Sequence, residues 1–202
     1  MTGYEKRTKT KKRKIQQCAL ELFDQYGFDK VTIEEISKKA KVSRATIYKY
    51  FLDKDNLRLE ILKNLAMQTT ESIENIVHDN LPFPVKLKKI ILLKKGMTVL
   101  TNNQFIEATI ASDGELGGVV TPELLKRIAA IMQEFIQQGK NEGFIHPDLT
   151  NETVNNYFKL VRAGLKQLQN NRDPLLYDQE KLGDLITIYI NGLKYGTEQK
   201  LL

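Results

Sequence analysis

The residues whose types suit chemistry best lie close together in one short segment. This segment contains two cations, two hydroxyl-bearing side chains and one small side chain: Arg44, Lys49, Thr46, Tyr48 and Ala45. The cationic and hydroxyl-bearing side chains among them are of the kind that forms hydrogen bonds with the base edges in the major groove of DNA and with the phosphates beside it. The segment therefore indicates a surface that binds a nucleic acid.

Two short helices have to hold this surface. The first is predicted to run to Ala40 behind the N-cap Thr32, because Glu35 follows Thr32 at the spacing of a capping box. The second is predicted over residues 44–51, behind the N-cap Ser43. Since only a three-residue turn separates them, the two helices form a helix-turn-helix.

The apolar residues of the second helix decide which of its sides faces outward. Ile47 and Phe51 lie one turn apart, so both are expected to point into the core. The polar side chains of residues 44–49 then face largely outward, as in a recognition helix that enters the major groove.

Patterns for other kinds of chemistry are missing from the sequence. The one cysteine, Cys18, and the two histidines, His78 and His146, have no metal-type spacing. No acidic pair with a nearby histidine, no nucleophile motif and no glycine-rich phosphate loop stands out. We therefore expect no catalytic residue, no metal and no cofactor. The two alternatives are an enzyme built on an all-helical scaffold, for which these patterns give no support, and a protein-interaction module in which the first fifty residues dock a partner helix. Salt-dependent retention on DNA would distinguish a DNA-binding protein from both.

The positive charge of the chain is concentrated at its N-terminus. Residues 1–51 contain 13 Lys and Arg against 6 Asp and Glu, whereas residues 52–202 contain 18 against 19. A basic part joined to a near-neutral remainder is expected when only the first part meets a polyanion. We expect residues 1–8 to lack regular structure and to begin a phosphate-neutralising basic arm formed by Lys6, Arg7, Lys9, Lys11, Lys12, Arg13 and Lys14.

Helical periodicity and the absence of strand alternation predict an all-α fold of about nine helices. Outside the helix-turn-helix, the helices are predicted at residues 10–26, 54–78, 85–100, 103–111, 122–142, 151–170 and 178–198. Asp53 is the predicted N-cap of the long fourth helix, and Lys54 at its start could hold a phosphate. We expect a DNA-binding domain over residues 1–52 and a larger helical domain over residues 53–202. No apolar run is long enough to span a membrane, so a cytoplasmic protein is expected.

Residues 19–62 closely resemble the N-terminal DNA-binding domain of the tetracycline-repressor (TetR) family. The matching motifs are ALxLFxxxG from Ala19, TIxxIxxxA from Thr32 and TxYxYF from Thr46, followed by Lys54 and Leu57. The resemblance implies a homodimeric transcriptional repressor of a palindromic operator, released by a small, largely apolar effector that the C-terminal domain binds. A minority of relatives use the ligand as a co-repressor or activate transcription, and the sequence leaves this sign open.

The resemblance also implies roles for individual residues. Thr32, Tyr50 and Lys54 are expected at phosphates, Ser43 at the helix cap with a possible phosphate contact, and the groove is expected to be read by Arg44, Thr46, Tyr48 and Lys49. Lys41 and Ala45 stand where many members have glycine. Lys41 should therefore adopt a left-handed backbone at a cost of about 1 kcal/mol, or the turn should bend differently. Ala45 changes how closely the helix can approach the bases.

The C-terminal helices supply weaker expectations. An effector pocket is apolar with a few polar groups; its candidate residues are Met67, Met97, Asn103, Phe105, Ile110, Phe135, Tyr157 and Arg162. The last two helices are apolar along one side and are expected to pair with those of a second chain in a four-helix bundle, although packing within their own domain explains the pattern equally well. The candidate interface residues are Val161, Leu165, Leu168, Ile186, Ile190 and Leu193.

Overall fold

The computed structural model describes residues 2–100, 119, 121–171, 173–176 and 178–193. In these residues the chain forms eight α-helices, one short 3-10 helix and no β-strand, which confirms the all-α prediction. The α-helices are α1 (Gly3–Tyr26), α2 (Ile33–Ala40), α3 (Arg44–Phe51), α4 (Lys54–His78), α5 (Phe83–Leu100), α6 (Pro122–Asn141), α7 (Asn151–Asn170) and α8 (Gln179–Asn191). The 3-10 helix is Pro174–Leu176, and the helix predicted at residues 103–111 lies outside the described residues.

The first helix begins earlier than the sequence pattern predicted. α1 starts at Gly3, so the expectation that residues 1–8 lack regular structure is wrong for residues 3–8. Thr2 caps the helix through its side chain, which accepts from the Glu5 backbone N–H at 3.3 Å, while the Thr2 N–H donates to the Glu5 carboxylate at 2.7 Å. This reciprocal capping box satisfies two backbone N–H groups that an uncapped helix start leaves open. The cations of the basic arm therefore stand on a helix.

The chain divides into two compact units, each with its own apolar core. The first unit comprises Met1–Ser72 and Leu92–Lys126, and the second comprises Ile73–Ile91 and Arg127–Leu202. The core of the first unit is formed by Ile15, Ala19, Leu20, Phe23, Val31, Ile36, Ala40, Ile47, Phe51, Leu57, Ile61, Leu62 and Val119. Every helix from α1 to α4 contributes to this core, so the two short helices α2 and α3 are stabilised by tertiary packing.

Aromatic side chains stack on one another in the core of the second unit. Phe83 stacks on Phe135 with ring centroids 4.7 Å apart and on Phe144 at 6.0 Å. Tyr157 stacks on Tyr189 at 5.2 Å, and the Tyr157 hydroxyl donates to the backbone oxygen of Tyr189 at 3.0 Å. Offset aromatic pairs of this kind add to the free energy gained from apolar burial. These contacts join residues distant in sequence, and they pack the start of α5 against α6 and pack α7 against α8.

A buried cation marks the end of α4 in the second unit. Lys86 is only 5% exposed, and its ammonium donates to the backbone oxygen of Val77 and to the Gln138 side-chain oxygen, both at 2.7 Å. The Gln138 amide donates to the same Val77 oxygen at 3.1 Å. The backbone oxygens of the last helical turn lack partners within the helix, and these two side chains supply them. The contacts anchor the last turn of α4 to α5 and α6.

Among the helices that the structure describes, none is both long and apolar enough to cross a membrane.

Candidate nucleic-acid interface

The N-terminus of α2 is held by a complete capping box. The Thr32 backbone N–H donates to the Glu35 carboxylate at 2.7 Å, and the Thr32 hydroxyl oxygen accepts from the Glu35 N–H at 3.3 Å. The Thr32 hydroxyl also donates to the Glu35 carboxylate at 2.8 Å. The backbone hydrogen bond from Thr32 lowers the pKa of Glu35 below its usual range, and the side-chain hydrogen bond acts in the same direction. A phosphate that accepts from the Thr32 hydroxyl must therefore displace the Glu35 carboxylate.

The turn between α2 and α3 passes through a left-handed residue. Lys41 has φ 57° and ψ 48°, so of the two expectations for this position the left-handed backbone is confirmed. The Lys41 N–H donates to the backbone oxygen of Lys38 at 3.2 Å, and the Val42 N–H donates to that of Ser37 at 3.0 Å. These bonds close the end of α2 as in other helices that terminate in this conformation.

α3 presents its polar side chains outward from a buried edge. Ile47 is fully buried and Phe51 is 3% exposed, as predicted. Of the predicted outward-facing residues, one is half-buried and four are exposed: Thr46, and then Arg44, Ala45, Tyr48 and Lys49. Because the apolar edge is fixed in the core, the exposed side is presented at a constant orientation, as groove reading requires.

The predicted cap of α3 is present. The Ser43 hydroxyl oxygen accepts from the Thr46 backbone N–H at 3.2 Å, and the two hydroxyl oxygens lie 2.8 Å apart. The same hydroxyl groups were predicted to meet DNA, Thr46 in the groove and Ser43 at the helix cap. Their pairing orients both side chains before any partner arrives.

A strained turn connects α3 to α4. Leu52 has φ 66° and ψ −55°, and the Asp53 N–H donates to the backbone oxygen of Phe51 at 2.8 Å, which makes Leu52 the centre of a γ-turn. Leu52 is 73% exposed, so its own burial does not stabilise this conformation. Asp53 caps α4 as predicted, because its carboxylate accepts from the Asn56 N–H at 2.7 Å. The packed helices on both sides hold the turn in place.

Lys54 has partners that the sequence prediction did not include. Its ammonium donates to the backbone oxygens of Phe28 and Val31, each at 3.0 Å, and lies 4.3 Å from the centre of the Phe28 ring. The side chain is half-buried. Lys54, which was predicted to bind a phosphate, thus binds the loop before α2 in this structure.

One cation of the basic arm reaches α3. The Lys12 ammonium lies 5.6 Å from the centre of the Tyr50 ring and 5.9 Å from that of Phe51. Tyr50, a predicted phosphate contact, is half-buried. Lys12 lies one turn before Ile15, which is fully buried, and this spacing is the signal that could have placed Lys12 on the inner side of α1.

The candidate effector residues do not form a single group in the part of the chain that the structure describes. Phe135 and Tyr157 lie in the aromatic core of the second unit, and burial raises the pKa of Tyr157. Met67 lies in the first unit and is 53% exposed. The remaining candidates fall outside the description: Asn103, Phe105 and Ile110 entirely, Met97 on α5 and Arg162 on α7 for their side chains.

The candidate interface residues of α7 and the C-terminal part are divided in a similar way. Leu193 is 3% exposed within the second core, and Val161 packs against the same core. Leu168 is half-buried, and the side chains of Leu165, Ile186 and Ile190 lie outside the description. Among the side chains that the structure describes on these helices, Leu160 on α7 and Ile188 on α8 are large, apolar and strongly exposed, at 73% and 67%.

The helix-turn-helix matches a known family. Residues 15–61 match the family described as "Bacterial regulatory proteins, tetR family". The chain is 23% identical over 184 residues to the HTH-type transcriptional regulator YhgD of Bacillus subtilis (strain 168), covering 89% of this chain and 94% of that protein. It is 37% identical over 78 residues to the HTH-type transcriptional regulator YvdT of the same organism, covering 39% and 40% of the two chains.

Solved structures extend the match beyond the helix-turn-helix. The fold is similar to that of a TetR-family transcriptional regulator from Mesorhizobium loti, with a TM-score of 0.70 and 21% identity over 93% of this chain and 96% of that one. A transcriptional regulator of the TetR family from Vibrio parahaemolyticus gives a TM-score of 0.64 at 23% identity, over 92% and 100% of the chains. Residues 15–61 therefore form a helix-turn-helix of the TetR-family type, and the chain as a whole is similar in fold to TetR-family transcriptional regulators.

Proposed function

We propose that this protein is a homodimeric repressor that binds a palindromic DNA operator and is released by a small, largely apolar effector. The observation that carries the proposal is the exposed side of α3, where Arg44, Tyr48 and Lys49 stand over a buried edge formed by Ile47 and Phe51. Arg and Lys are the side chains that most often contact guanine in the major groove. The two cations on this exposed side are consistent with such contacts.

Charge supports the same proposal for the helices around α3. The basic arm lies on α1, and Lys12 of this arm is close to Tyr50 near the end of α3. Cations on a helix beside the reading surface can neutralise several phosphates in fixed register, and each contact steepens the salt dependence of binding. Repression as the sign of regulation is favoured by the HTH-type transcriptional repressor Rv1474c of Mycobacterium tuberculosis, 23% identical over 81% of this chain and 85% of that protein.

The dimer is proposed on the exposed apolar residues of α7 and α8. Leu160 and Ile188 are each more than half exposed, and a side chain added at Gly164 would meet no atom within 4 Å. Ala163 and Gly164 are exposed on the same side of α7 as Leu160, so a second helix could approach closely there. Gly192, which follows the end of α8, does not leave such a space, because a Cβ there would lie 2.6 Å from the Tyr157 hydroxyl of its own unit.

Release by the effector is proposed to act through α4. This helix belongs to the first unit up to Ser72 and to the second unit from Ile73. An effector that binds the DNA-incompetent state more tightly would change the spacing of the two recognition helices in the dimer. Coupling of about 1 to 3 kcal/mol would weaken operator binding roughly 5- to 150-fold. We retain residues 1–52 as the proposed DNA-binding domain and residues 53–202 as the proposed effector and dimer domain.

Selection of bound duplexes from a random DNA pool tests the function. The expected result is enrichment of a palindrome, with binding that weakens steeply as salt rises. Binding that does not change from low to high salt would contradict a DNA role and favour the protein-interaction module. A selected sequence without two-fold symmetry would contradict the dimeric operator.

The dimer is tested by a charge on the exposed side of α7. Leu160→Glu is expected to shift the molar mass measured by light scattering from dimer to monomer, because a buried unpaired carboxylate is costly at an interface. Leu125→Glu is the matched control, since Leu125 is a 56% exposed leucine on α6, and it should leave the mass unchanged. If the Leu160→Glu protein is still a dimer, this side of α7 is not the dimer interface. Leu193→Glu is a poorer test, because Leu193 is buried in the core of its own unit.

A further inference from the structure

We propose that Lys54 is a positioning residue of the DNA-binding surface and not itself a phosphate ligand. It holds the loop between α1 and α2, and through that loop it sets the N-terminus of α2 and Thr32 against the DNA backbone. The inference rests on the proposed function, because it concerns how the same surface meets DNA.

The contacts of the Lys54 ammonium carry the inference. Two of its three N–H groups donate to backbone oxygens of the loop, those of Phe28 and Val31, both at 3.0 Å. The ring of Phe28 lies 4.3 Å from the same ammonium, at a distance typical of a cation–π contact. A phosphate approaching Lys54 would therefore find two of its three N–H groups already donated and the ammonium held against the Phe28 ring.

A second cation strengthens the connection between the loop and α4. The Arg58 guanidinium lies 4.7 Å from the centre of the Phe28 ring, and the Arg58 side chain is 18% exposed. The ring of Phe28 also meets that of Phe23 edge-on at 5.1 Å. Phe28 is thus held by two residues of the first turns of α4 and by one of α1.

The loop ends where the predicted DNA contact begins. Val31, whose oxygen accepts from Lys54, is 2% exposed and directly precedes Thr32, the N-cap of α2. A shift of the loop therefore moves Thr32 and the first backbone N–H groups of α2 together. Lys54 acts on DNA through these groups, in the way that a supporting residue orients a ligand-binding one.

Salt dependence separates a positioning residue from a phosphate ligand. Removing one phosphate contact lowers the slope of log affinity against log salt concentration by about 0.9. Removing a positioning residue weakens binding at every salt concentration by a similar factor, because the number of neutralised phosphates stays the same. Removing a residue with a purely structural role also leaves the slope unchanged, but it leaves the affinity of the folded protein unchanged as well.

The test measures binding of the full chain to a fluorescent mixed-sequence DNA duplex by anisotropy across a salt series, below the melting temperature of each variant. Lys54→Met is expected to weaken binding about tenfold at each salt concentration without a change in slope, since it removes two hydrogen bonds from a charged group. Lys88→Met is the control, because it removes the same charge from an exposed position on α5 in the second unit, and it should behave like the wild type.

Two results with Lys54→Met would overturn the inference. A slope lower by about 0.9 would make Lys54 a direct phosphate ligand. A lower melting temperature with wild-type affinity would make its role purely structural. A wild-type protein without salt-dependent DNA binding would instead remove the proposed function, and this inference with it, so the two failures are distinguishable.

Phe28→Leu provides the answer if Lys54→Met does not fold. This variant keeps the charge of Lys54 and both backbone acceptors but removes the ring that two cations contact. Binding roughly threefold weaker, with an unchanged slope, is expected from the loss of a partly exposed cation–π contact. Wild-type affinity of Phe28→Leu at every salt concentration would overturn the inference.

Discussion

The two units differ in where their candidate functional residues lie. Those of α3 in the first unit are at the surface, and the effector candidates described in the second unit are in the core or pack against it. In the first unit, Arg44, Tyr48 and Lys49 are exposed, and the buried edge of α3 carries none of the predicted contacts. In the second unit, Phe135 and Tyr157 lie within the core cluster or pack directly against it. A DNA-reading surface is therefore recognisable from exposed polar residue types, whereas an apolar pocket uses the same residue types as the core that surrounds it.

The caps of the two short helices and the contacts of the second core also differ in their range along the chain. The caps of α2 and α3 connect residues three apart, Thr32 with Glu35 and Ser43 with Thr46. In the second unit the Phe83 N–H donates to the Glu142 carboxylate, 59 residues away. Contacts of the first kind follow from local sequence, and contacts of the second kind follow only from the assembled fold.

Phe135→Ala is the substitution with the largest expected effect. Phe135 is 3% exposed and stacks on Phe83, so its removal should cost about 3 to 5 kcal/mol of the free energy of unfolding, measured with urea. Met67→Ala is the control, because Met67 is an exposed effector candidate and should cost less than about 0.5 kcal/mol. A loss below about 1 kcal/mol for Phe135→Ala would break the comparison and favour a pocket residue over a core residue.

The helix-turn-helix was predictable because its signals are local. The bounds of α3, the caps Thr32 and Ser43 and the inward direction of Ile47 were all predicted from residue types and spacing. The extension of α1 to Gly3 is also a local signal, but the run of cations after the Thr2 capping box concealed it.

The partners of buried and half-buried cations were not predictable. Lys54 donates to oxygens 23 and 26 residues earlier in the chain, and Lys86 lies buried against Val77 and Gln138. A lysine in a helical pattern is ordinarily read as solvent-exposed, because its charge is costly to bury. Only the fold shows which backbone oxygens can compensate that cost.

Arg44→Ala is expected to weaken DNA binding with little change in stability, in contrast to a core substitution. Arg44 is exposed, so its loss should leave the free energy of unfolding within about 0.5 kcal/mol of the wild type. Affinity should fall by about 1 to 3 kcal/mol at a contacted base pair, with relaxed preference at that position of the operator. The measurement compares binding to the selected duplex with binding to duplexes changed at single positions. Arg44→Lys is the control, because it keeps the charge without the planar fork. An affinity of Arg44→Ala that falls equally for all DNA sequences would show that Arg44 contacts only phosphate.

Lys41→Gly has the smallest expected effect and tests the local character of the first unit at the backbone. Lys41 is left-handed at φ 57°, a conformation that costs a non-glycine residue about 1 to 2 kcal/mol. Glycine adopts it freely but loses more conformational entropy on folding, so a net stabilisation of about 0.5 kcal/mol is expected in urea unfolding. Ala45→Gly is the matched control within α3 and should destabilise by about 0.5 to 1 kcal/mol. Changes of opposite sign in the free energy of unfolding would show that the effect of glycine depends on the backbone conformation at each position. Destabilisation by Lys41→Gly would mean that contacts of the Lys41 side chain hold the turn.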